Sequence, residues 1–394
     1  MSLQLLNPAI QEYINSNLTS DISTMALSKN PFEGEDFKEI LNQIAAKAKA
    51  KDKLPTWYST RNILYPSKIS VEQTSSEITA EYKSSLVSGD SLIDLSGGFG
   101  VDDFYFSQKF DKVVHCEMQE ELTAVVAHNF KMLNANNIQC TIGDSTQLLK
   151  NFDQKWDCIY VDPSRRNETK GKVFMLADCS PNVSELLPLY LSYSNTILIK
   201  TAPILDITAA MLELKYVKEI HLVAVNNEMK EILFLIENGF NGTPKVICVN
   251  FTKVDCQKVE FILNLESPPY FSLPKQYIYE PNSAIMKSGE YNQLSNQLNL
   301  PKLHQNSHLY TSENLLKFPG RGFRVDEVLE YNKLGISKVS ALKKANITTR
   351  NFPLTVEELR KRLKLKDGGN SYCFFTTNMN NEKIILICSK TPIL

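Results

Sequence analysis

The sequence of 394 residues lacks the features that mark several large classes of protein. No apolar run approaches the roughly 20 residues of a membrane span. The first residues also show no basic segment followed by an apolar one, as a secretion signal would. We therefore expect a cytoplasmic protein without a membrane partner. The hydrophobic content of 43% and the charged content of 22% are those of an ordinary globular chain with two or three domains.

The eight cysteines do not have the spacing of a metal site or a disulfide framework. None stands in a C-x-x-C pair. Five lie inside apolar, strand-like runs, where cysteine acts as a small core residue. His304 and His308 have helical i, i+4 spacing, but Pro301 adjoins them and no third ligand is nearby. We therefore predict no bound metal.

The net charge of −1 argues against a uniformly basic nucleic-acid-binding protein, but the charges are unevenly distributed. Between Lys317 and Lys366 there are 13 Lys and Arg against 5 Asp and Glu, a local balance of +8. The rest of the chain then carries −9. Such asymmetry indicates that the C-terminal region binds something anionic.

The most informative motif follows the first predicted strand. An apolar run ends in the carboxylate of Asp94, and Gly97, Gly98 and Gly100 come directly after it. This pattern is typical of a buried strand that leads into a sharp glycine turn, where the backbone can approach a ligand closely. Without further signals, an ordinary tight turn would explain it equally well.

Three more carboxylates, Glu117, Asp144 and Asp162, follow the next predicted strands. Ligands of open α/β sheets bind at the carboxyl ends of the strands, so four successive strands would each bring an acid to the same edge. Carboxylates are acceptors and suit the hydroxyl and amino groups of a ligand. Alternatively, Glu117 is a solvated strand end and Asp144 is a helix N-cap, since Gly-Asp-Ser is good capping chemistry.

The rest of the pattern alternates strands with helices and then closes with a hairpin. The predicted strands cover residues 91–95, 112–116, 138–142, 157–161 and 196–200. Two further apolar strands, 220–225 and 232–236, have hairpin spacing. The predicted fold class is therefore α/β, with a Rossmann-like sheet of seven strands, an N-terminal helical segment and small C-terminal α+β domains.

A nicotinamide-binding Rossmann unit is the main alternative, because it also places glycines after the first strand and an acid about 20 residues later. Its fingerprint is G-x-G-x-x-G, whereas this chain has G-G-x-G. Asp94 would also lie awkwardly close to a pyrophosphate. The sequence therefore argues against the nicotinamide cofactor.

Residues 72–250 resemble the class I S-adenosylmethionine-dependent methyltransferases. The resemblance implies that Glu117 accepts hydrogen bonds from the ribose of the cofactor and that Asp144 faces the adenine amino group. It also implies that Asp162, in Asp162-Pro-Ser-Arg-Arg166, lies beside the methyl group and the substrate. The predicted cofactor-binding residues are Asp94, Ser96, Gly97, Gly98, Gly100, Glu117, Met118, Asp144, Ser145 and Asp162.

One bacterial subfamily resembles the chain more closely, because its members join such a domain to a small ferredoxin-like domain and a C-terminal THUMP-like domain. The motifs that carry this resemblance are Gln73-Thr-Ser-Ser-Glu77, Asp94-Leu-Ser-Gly-Gly-Phe-Gly-Val-Asp102, Asp162-Pro-Ser-Arg-Arg166 and Tyr279-Glu-Pro-Asn-Ser-Ala-Ile-Met-Lys287. The expected domains are residues 1–70, 71–265, 275–320 and 321–394, with Phe318–Val325 separating the last two. THUMP modules in other proteins bind RNA, so the resemblance implies a tRNA or rRNA substrate.

The motif after the fourth strand departs from the pattern of methyltransferases that act on exocyclic amino groups, where Pro-Pro-aromatic follows the polar residue. Here Ser164 and Arg165 replace the second Pro and the aromatic. A guanidinium can stack on a base or bind a phosphate. We therefore predict Asp162 and Arg165 as catalytic residues in direct transfer to a base nitrogen. The predicted RNA-binding residues are Arg165, Arg166, Arg321, Arg324, Arg360, Lys361 and Arg362.

Arg165 and Arg166 could instead form ion pairs with acidic residues on the surface. Two other functions are also compatible with the sequence. The enzyme could methylate a small molecule or a protein, or the chain could be an RNA-binding module that binds the cofactor without catalysis. The aromatic residues Trp57, Tyr58 and Tyr65 either form an RNA-stacking surface or pack the N-terminal helices. The end of the fifth strand has no cysteine, which argues against covalent cysteine catalysis. The oligomeric state is left open.

Overall fold

The computed structural model describes residues 3–165 and 175–391. The chain forms two compact units, one of Met1–Lys218 with Ile232–Gly242 and the other of Glu219–Glu231 with Thr243–Leu394. Among the described residues, no helix combines the length and the apolar character needed to cross a bilayer.

Six short helices precede the first strand. After a 3₁₀ turn at Leu3–Leu6 they are α1 (Pro8–Ser16), α2 (Ile22–Ala26), α3 (Phe37–Lys53), α4 (Pro55–Ser59), α5 (Lys68–Gln73) and α6 (Glu77–Ser84). Trp57 and Tyr65 are only 0% and 1% exposed. Their rings lie 6.4 and 6.2 Å from the ring of Phe99 in the glycine-rich loop. The packing alternative is therefore correct for these two aromatics, and an RNA-stacking role for them is excluded.

The first sheet is built from an alternation of strands and helices. Its strands and the neighbouring short ones are β1 (Ser91–Asp94), β2 (Lys112–Glu117), β3 (Ile138–Ile142), β4 (Cys158–Val161), β5 (Ser164–Arg165), β6 (Cys179–Ser180), β7 (Thr196–Thr201), β8 (Val217–Val225), β9 (Glu228–Glu237), β10 (Lys245–Phe251) and β11 (Cys256–Ile262). The helices between them are α7 (Val101–Phe106), α8 (Glu120–Met132), α9 (Ser145–Phe152), α10 (Val183–Tyr193) and α11 (Ile207–Glu213). A 3₁₀ turn covers Leu176–Asp178.

The strand order of this sheet is β3-β2-β1-β4-β7-β9-β8, followed by β10 and β11. Strands β3, β2, β1, β4 and β7 are parallel, and β9 is antiparallel to β7. All four residues of β4 are buried, as expected in the centre of a parallel sheet. The predicted α/β class and the closing hairpin are confirmed, with two strands added beyond the predicted seven.

The hairpin is tighter than its sequence suggested. The strands β8 and β9 are joined by Asn226 and Asn227, which have φ angles of 51° and 64°. Asparagine tolerates this left-handed region, which two-residue type I′ turns require. Helix α10 was not predicted, because Pro188 in its interior normally signals the end of a helix.

A second sheet belongs to the C-terminal unit. Its elements are β12 (Tyr277–Pro281), α12 (Ser283–Ser288), α13 (Tyr291–Leu298), β13 (Tyr310–Ser312), β14 (Gly320–Glu330), α14 (Lys333–Ala341), β15 (Asn346–Arg350), α15 (Val356–Leu363), β16 (Ser371–Thr377) and β17 (Lys383–Lys390). The order is β13-β12-β14-β17-β16-β15. Its core includes Ile278, Phe323 and Phe374.

The segment Phe318–Val325, which was predicted to separate the last two domains, is itself part of the second sheet. Most of this segment lies in β14, which pairs with both β12 and β17. A Cβ atom on Gly320 would lie 2.1 Å from the carbonyl oxygen of Glu280, so glycine is what permits the close pairing. Both predicted small domains consequently contribute strands to one sheet.

Candidate active site

Four carboxylates mark the carboxyl ends of adjacent parallel strands. Asp94 ends β1, Glu117 ends β2, Asp144 follows β3 by two residues, and Asp162 comes directly after β4. The parallel pairing of β3 with β2, β2 with β1 and β1 with β4 places all four at one edge of the sheet, as predicted. This edge is the usual ligand site of open α/β sheets.

Asp94 is buried beneath the glycine-rich loop, with 2% exposure. Its Oδ1 atom accepts hydrogen bonds from the backbone N–H of Ser96 at 2.7 Å and from the Ser96 hydroxyl at 2.6 Å. The same hydroxyl accepts a hydrogen bond from the backbone N–H of Asp162 at 2.7 Å. Ser96 therefore joins the loop after β1 to the loop after β4, and Asp94 fixes the orientation of Ser96.

The three glycines of the loop differ in how much space surrounds them. All have positive φ angles, of 21°, 61° and 74° for Gly97, Gly98 and Gly100. A Cβ atom on Gly97 would lie 2.5 Å from the Cys116 carbonyl oxygen, and one on Gly100 would lie 2.5 Å from the Phe130 ring. A Cβ atom on Gly98 would meet nothing closer than 3.7 Å. Two glycines therefore allow close packing, whereas the space beside Gly98 is open.

Glu117 shapes the same loop from the next strand. Its Oε2 atom accepts from the N–H of Gly98 at 3.0 Å, and its Oε1 atom accepts from the N–H of Gln119 at 2.9 Å. Each carboxylate oxygen has two acceptor positions, so both can still accept from a ligand hydroxyl. The adjacent Met118 is 72% exposed, which leaves its apolar side chain available for contact.

Asp144 is exposed and serves as the N-cap of α9, where its Oδ1 atom accepts from the N–H of Gln147 at 2.9 Å. The capping alternative is thus correct for one oxygen. Ser145, the first residue of α9, is half-buried beside it. A carboxylate can cap a helix through one oxygen and accept a ligand amino group at the other.

A buried group of titratable side chains lies under the loop. His115 Nδ1 is 2.6 Å from Asp103 Oδ2, and both side chains are fully buried. Burial and the neighbouring Asp103 carboxyl raise the pKa of Asp94 well above its usual range. Burial and Asp102 likewise raise the pKa of Asp103, and burial lowers the pKa of His115. These shifts favour a proton on this pair of carboxyls and the neutral form of the imidazole.

A second buried network surrounds Asp102. Its Oδ2 atom accepts from the Ser75 hydroxyl at 2.9 Å and from the Tyr160 hydroxyl at 2.8 Å. Lys83, with 0% side-chain exposure, lies 3.2 Å from the other oxygen, close enough for an ion pair. Burial opposes ionisation of Asp102, but Lys83 and Lys200 lower its pKa below the usual value. Asp102 is therefore an ionised group inside the unit.

Lys200, at the carboxyl end of β7, was not among the predicted site residues. Its ammonium group forms an ion pair with the Asp162 Oδ2 atom. The side chains of Lys200 and Asp162 are 14% and 35% exposed, so the pair faces solvent in part. A lysine that ends an otherwise apolar strand beside the acid edge is the sequence signal that would have identified it.

Several predicted RNA-binding residues have acceptors nearby. Arg166 and the side chain of Arg165 lie outside the described residues. The contacts found in the C-terminal unit are Arg321 with Glu280, Arg324 with Asp326, Arg360 with Asp367, and Arg362 with the Tyr331 hydroxyl. Lys361 is exposed. Glu280 also forms an ion pair with Arg350, so two guanidinium groups share one buried carboxylate. The three side chains together therefore carry a net positive charge.

Comparisons with known proteins identify the parts of the chain. Family models describe residues 277–319 as a ferredoxin-like domain and residues 320–390 as THUMP domain-like. A crystal structure assigned to a methyltransferase of Porphyromonas gingivalis W83 has 30% sequence identity, covers 100% of both chains and superposes with a TM-score of 0.87. A search of curated proteins finds no match.

Two other solved structures match less than half of the chain. An rRNA methylase from Streptococcus thermophilus has 14% identity and a TM-score of 0.30, covering 41% of this chain and 94% of that one. A tRNA m1G37 methyltransferase from M. jannaschii has 12% identity and a TM-score of 0.30, covering 42% and 50%. These scores are too low to establish kinship. The match over the whole length is different: the chain belongs to the family of the P. gingivalis protein, the class I S-adenosylmethionine-dependent methyltransferases that carry a ferredoxin-like and a THUMP-like domain.

Proposed function

We propose that this enzyme methylates a base nitrogen in a structured RNA, either a tRNA or an rRNA. The observation that carries the proposal is the THUMP domain-like match at residues 320–390 in the same chain as a methyltransferase sheet. The local charge of +8 between Lys317 and Lys366 supports it, since phosphate contacts supply much of the affinity for nucleic acid. We also propose that residues 1–70, 71–265, 275–320 and 321–394 act as the functional divisions of the chain.

The residues at the acid edge fit the family's cofactor. The open backbone at Gly98 leaves room for a ligand, and Glu117 retains acceptor positions suited to ribose hydroxyls. Asp144 is exposed and suited to the adenine amino group. When bound, S-adenosylmethionine supplies an electrophilic methyl group on a cationic sulfur. Asp94 would act through Ser96 rather than by direct contact, because its carboxyl is buried.

Asp162 is the residue best placed to bind and deprotonate the substrate. Its backbone N–H donates a hydrogen bond to the Ser96 hydroxyl, and its carboxylate forms an ion pair with Lys200. A carboxylate fixed in this way can accept a hydrogen bond from the base N–H, orient the nitrogen, and take its proton. Lys200 positions the carboxylate. Arg165 would stack on the base or bind the adjacent phosphate.

The proposal is tested by transfer of a tritiated methyl group from S-adenosylmethionine to transcribed, unmodified tRNA and rRNA fragments. Label should enter RNA, and Asp162→Ala should abolish transfer while calorimetry still detects cofactor binding. Glu117→Ala should weaken cofactor binding, whereas Glu120→Ala, at an exposed position in the first turn of α8, should not.

Label found instead in protein or small molecules would overturn the RNA assignment. Cofactor binding without turnover on any RNA would indicate a non-catalytic module.

A further inference from the structure

The C-terminal unit contains a cavity of about 730 Å³. Residues of β10, β11, the turn between them and the start of β14 line it. Every lining residue belongs to this unit. Its size lies in the range of ordinary small-ligand sites, so a compact organic group can enter it.

The lining is strongly cationic. Its charged members are Lys253, Asp255, Lys258, Lys317, Arg321 and Lys390. Lys317 lies 3.8 Å from Asp255, and Lys258 pairs with a neighbouring glutamate at 3.0 Å. Lys253 and Lys390 are exposed and have no carboxylate partner within residues 3–165 and 175–391. Two unpaired ammonium groups at one cavity favour an anionic ligand such as a phosphate.

An oriented amide lies in the same cavity. Asn250 and Asn282, each 2% exposed, both donate through their Nδ2 atoms to Gln257 Oε1, each at 3.0 Å. The Gln257 amide is therefore held with its NH₂ group directed away from them. That group has no acceptor among the described residues. It is a fixed donor pair, suited to a carbonyl or ring-nitrogen acceptor of a ligand.

Apolar side chains complete the lining. Val254 and Leu316 both line the cavity and are 75% and 41% exposed, so their apolar side chains are accessible to a ligand there. Phe318, also in the lining, is held in place against the ring of Tyr279 at 5.1 Å. The cavity thus offers an apolar wall, a fixed amide donor and free cations.

We propose that this cavity binds an unpaired nucleotide of the RNA substrate. The base packs on Val254 and Leu316, an acceptor on its edge receives the Gln257 amide, and the phosphate lies by Lys253 and Lys390. An unpaired nucleotide combines an apolar base face, hydrogen-bond acceptors on the base edge and a phosphate in one small group. A base pair within a helix exposes only the edges of its bases. The inference rests on the proposed function, because an RNA substrate is what brings the nucleotide.

Cys256 provides a built-in reporter of occupancy. It lines the cavity and is exposed, whereas the other seven cysteines are buried or half-buried. Alkylation of the native full-length protein by N-ethylmaleimide, followed by mass spectrometry, therefore reads out this position. A short single-stranded oligoribonucleotide at about ten times its Kd should slow alkylation of Cys256 about tenfold. The same sequence as a duplex should not.

Matched variants separate the cavity from general charge effects. Lys253→Glu and Lys390→Glu should each weaken oligonucleotide binding and remove the protection. Lys29→Glu, at an exposed position of the first unit, changes the net charge equally and should leave both unchanged. Loss of binding in all three variants to the same extent would overturn the proposal.

Three further outcomes are decisive. If the enzyme binds and methylates RNA while Cys256 alkylation is unaffected, the cavity is not the nucleotide site and the proposed function stands. If free AMP or UMP protects Cys256 but RNA does not, the cavity binds a free nucleotide and this inference fails, whereas the proposed function is judged by RNA methylation alone. If no RNA is methylated or bound, the proposed function and this inference fail together.

Discussion

The ammonium group of Lys200 forms an ion pair with the carboxylate of Asp162, although the two residues are 38 positions apart in the sequence. Asp162 follows β4, and Lys200 lies at the end of the adjacent parallel strand β7. One strand therefore supplies the carboxylate that is proposed to accept the substrate proton, and the adjacent strand supplies the lysine that orients this carboxylate. This pairing also connects the site to the half-buried Asp102, whose pKa Lys200 helps to lower.

Replacement of Lys200 by Met should lower kcat by about 10- to 100-fold, because an unheld carboxylate spends less time in the productive geometry. The Kd for S-adenosylmethionine should change little, since Lys200 makes no predicted contact with the cofactor. Lys200→Arg retains a cation and should recover part of the rate. Radiometric methyl transfer and calorimetry measure the two quantities. Equal losses in Met and Arg variants, or loss of cofactor affinity in step with kcat, would indicate a merely structural role.

Gly98 and Gly100 should respond differently to alanine. Gly98→Ala places a methyl group in open space, so it should cost only about 1–2 kcal/mol of backbone strain but interfere with cofactor binding. Gly100→Ala drives a methyl group against the Phe130 ring and should cost about 1–3 kcal/mol more through overpacking. Urea unfolding and calorimetric titration with S-adenosylmethionine distinguish them. Wild-type cofactor affinity in Gly98→Ala would remove the open backbone from the binding site.

The acid edge could be predicted because its signals are local. Each strand is a short apolar run, each acid directly follows it, and parallel order brings the ends together. Partners distant in sequence could not be found this way. Lys83 with Asp102 and Lys200 with Asp162 become neighbours only through tertiary packing. The position of Lys200 at the end of an apolar strand indicates a place at the acid edge, but it does not identify Asp162 as the partner.

Local composition does not reveal the structural role of one glycine and two arginines in the C-terminal unit. Phe318-Pro-Gly-Arg-Gly322 has the composition of a turn, yet Gly320 serves strand pairing inside β14. A count of positive charges cannot distinguish free side chains from paired ones. Arg321 and Arg360 are both paired with carboxylates, so the nominal balance of the segment overstates how many cations are free for RNA.

The buried Asp94 carboxyl should make stability depend on pH. An unfolded carboxyl loses its proton near its ordinary pKa of 3.8, whereas the folded one retains it to higher pH. The folded protein then binds more protons in this window, so the free energy of unfolding falls as pH rises. Asp94→Asn mimics the protonated form, keeps an acceptor for Ser96, and should reduce this fall as the pH rises above about 4.

Urea unfolding at several pH values measures the effect of Asp94→Asn. The control is Asp90→Asn, the same substitution at an exposed position just before β1. A variant whose unfolding free energy changes with pH as steeply as that of the wild type would show that Asp94 does not retain its proton in the folded enzyme.

Lys361 is the best single probe of phosphate binding in the THUMP-like region, because it is exposed in α15 whereas Arg360 is paired with Asp367 and Arg362 contacts Tyr331. Lys361→Glu should weaken RNA binding at low salt and reduce the slope of log K against log salt by about 1. Filter binding at several salt concentrations measures the slope, with Lys29→Glu as the charge-matched control. The physical reason is counterion release: each phosphate neutralised by the protein frees condensed cations, and a lost contact frees fewer. Parallel salt dependences for the wild type and Lys361→Glu would mean that this helix does not contact the RNA backbone, and the positive balance of the segment would then require another explanation.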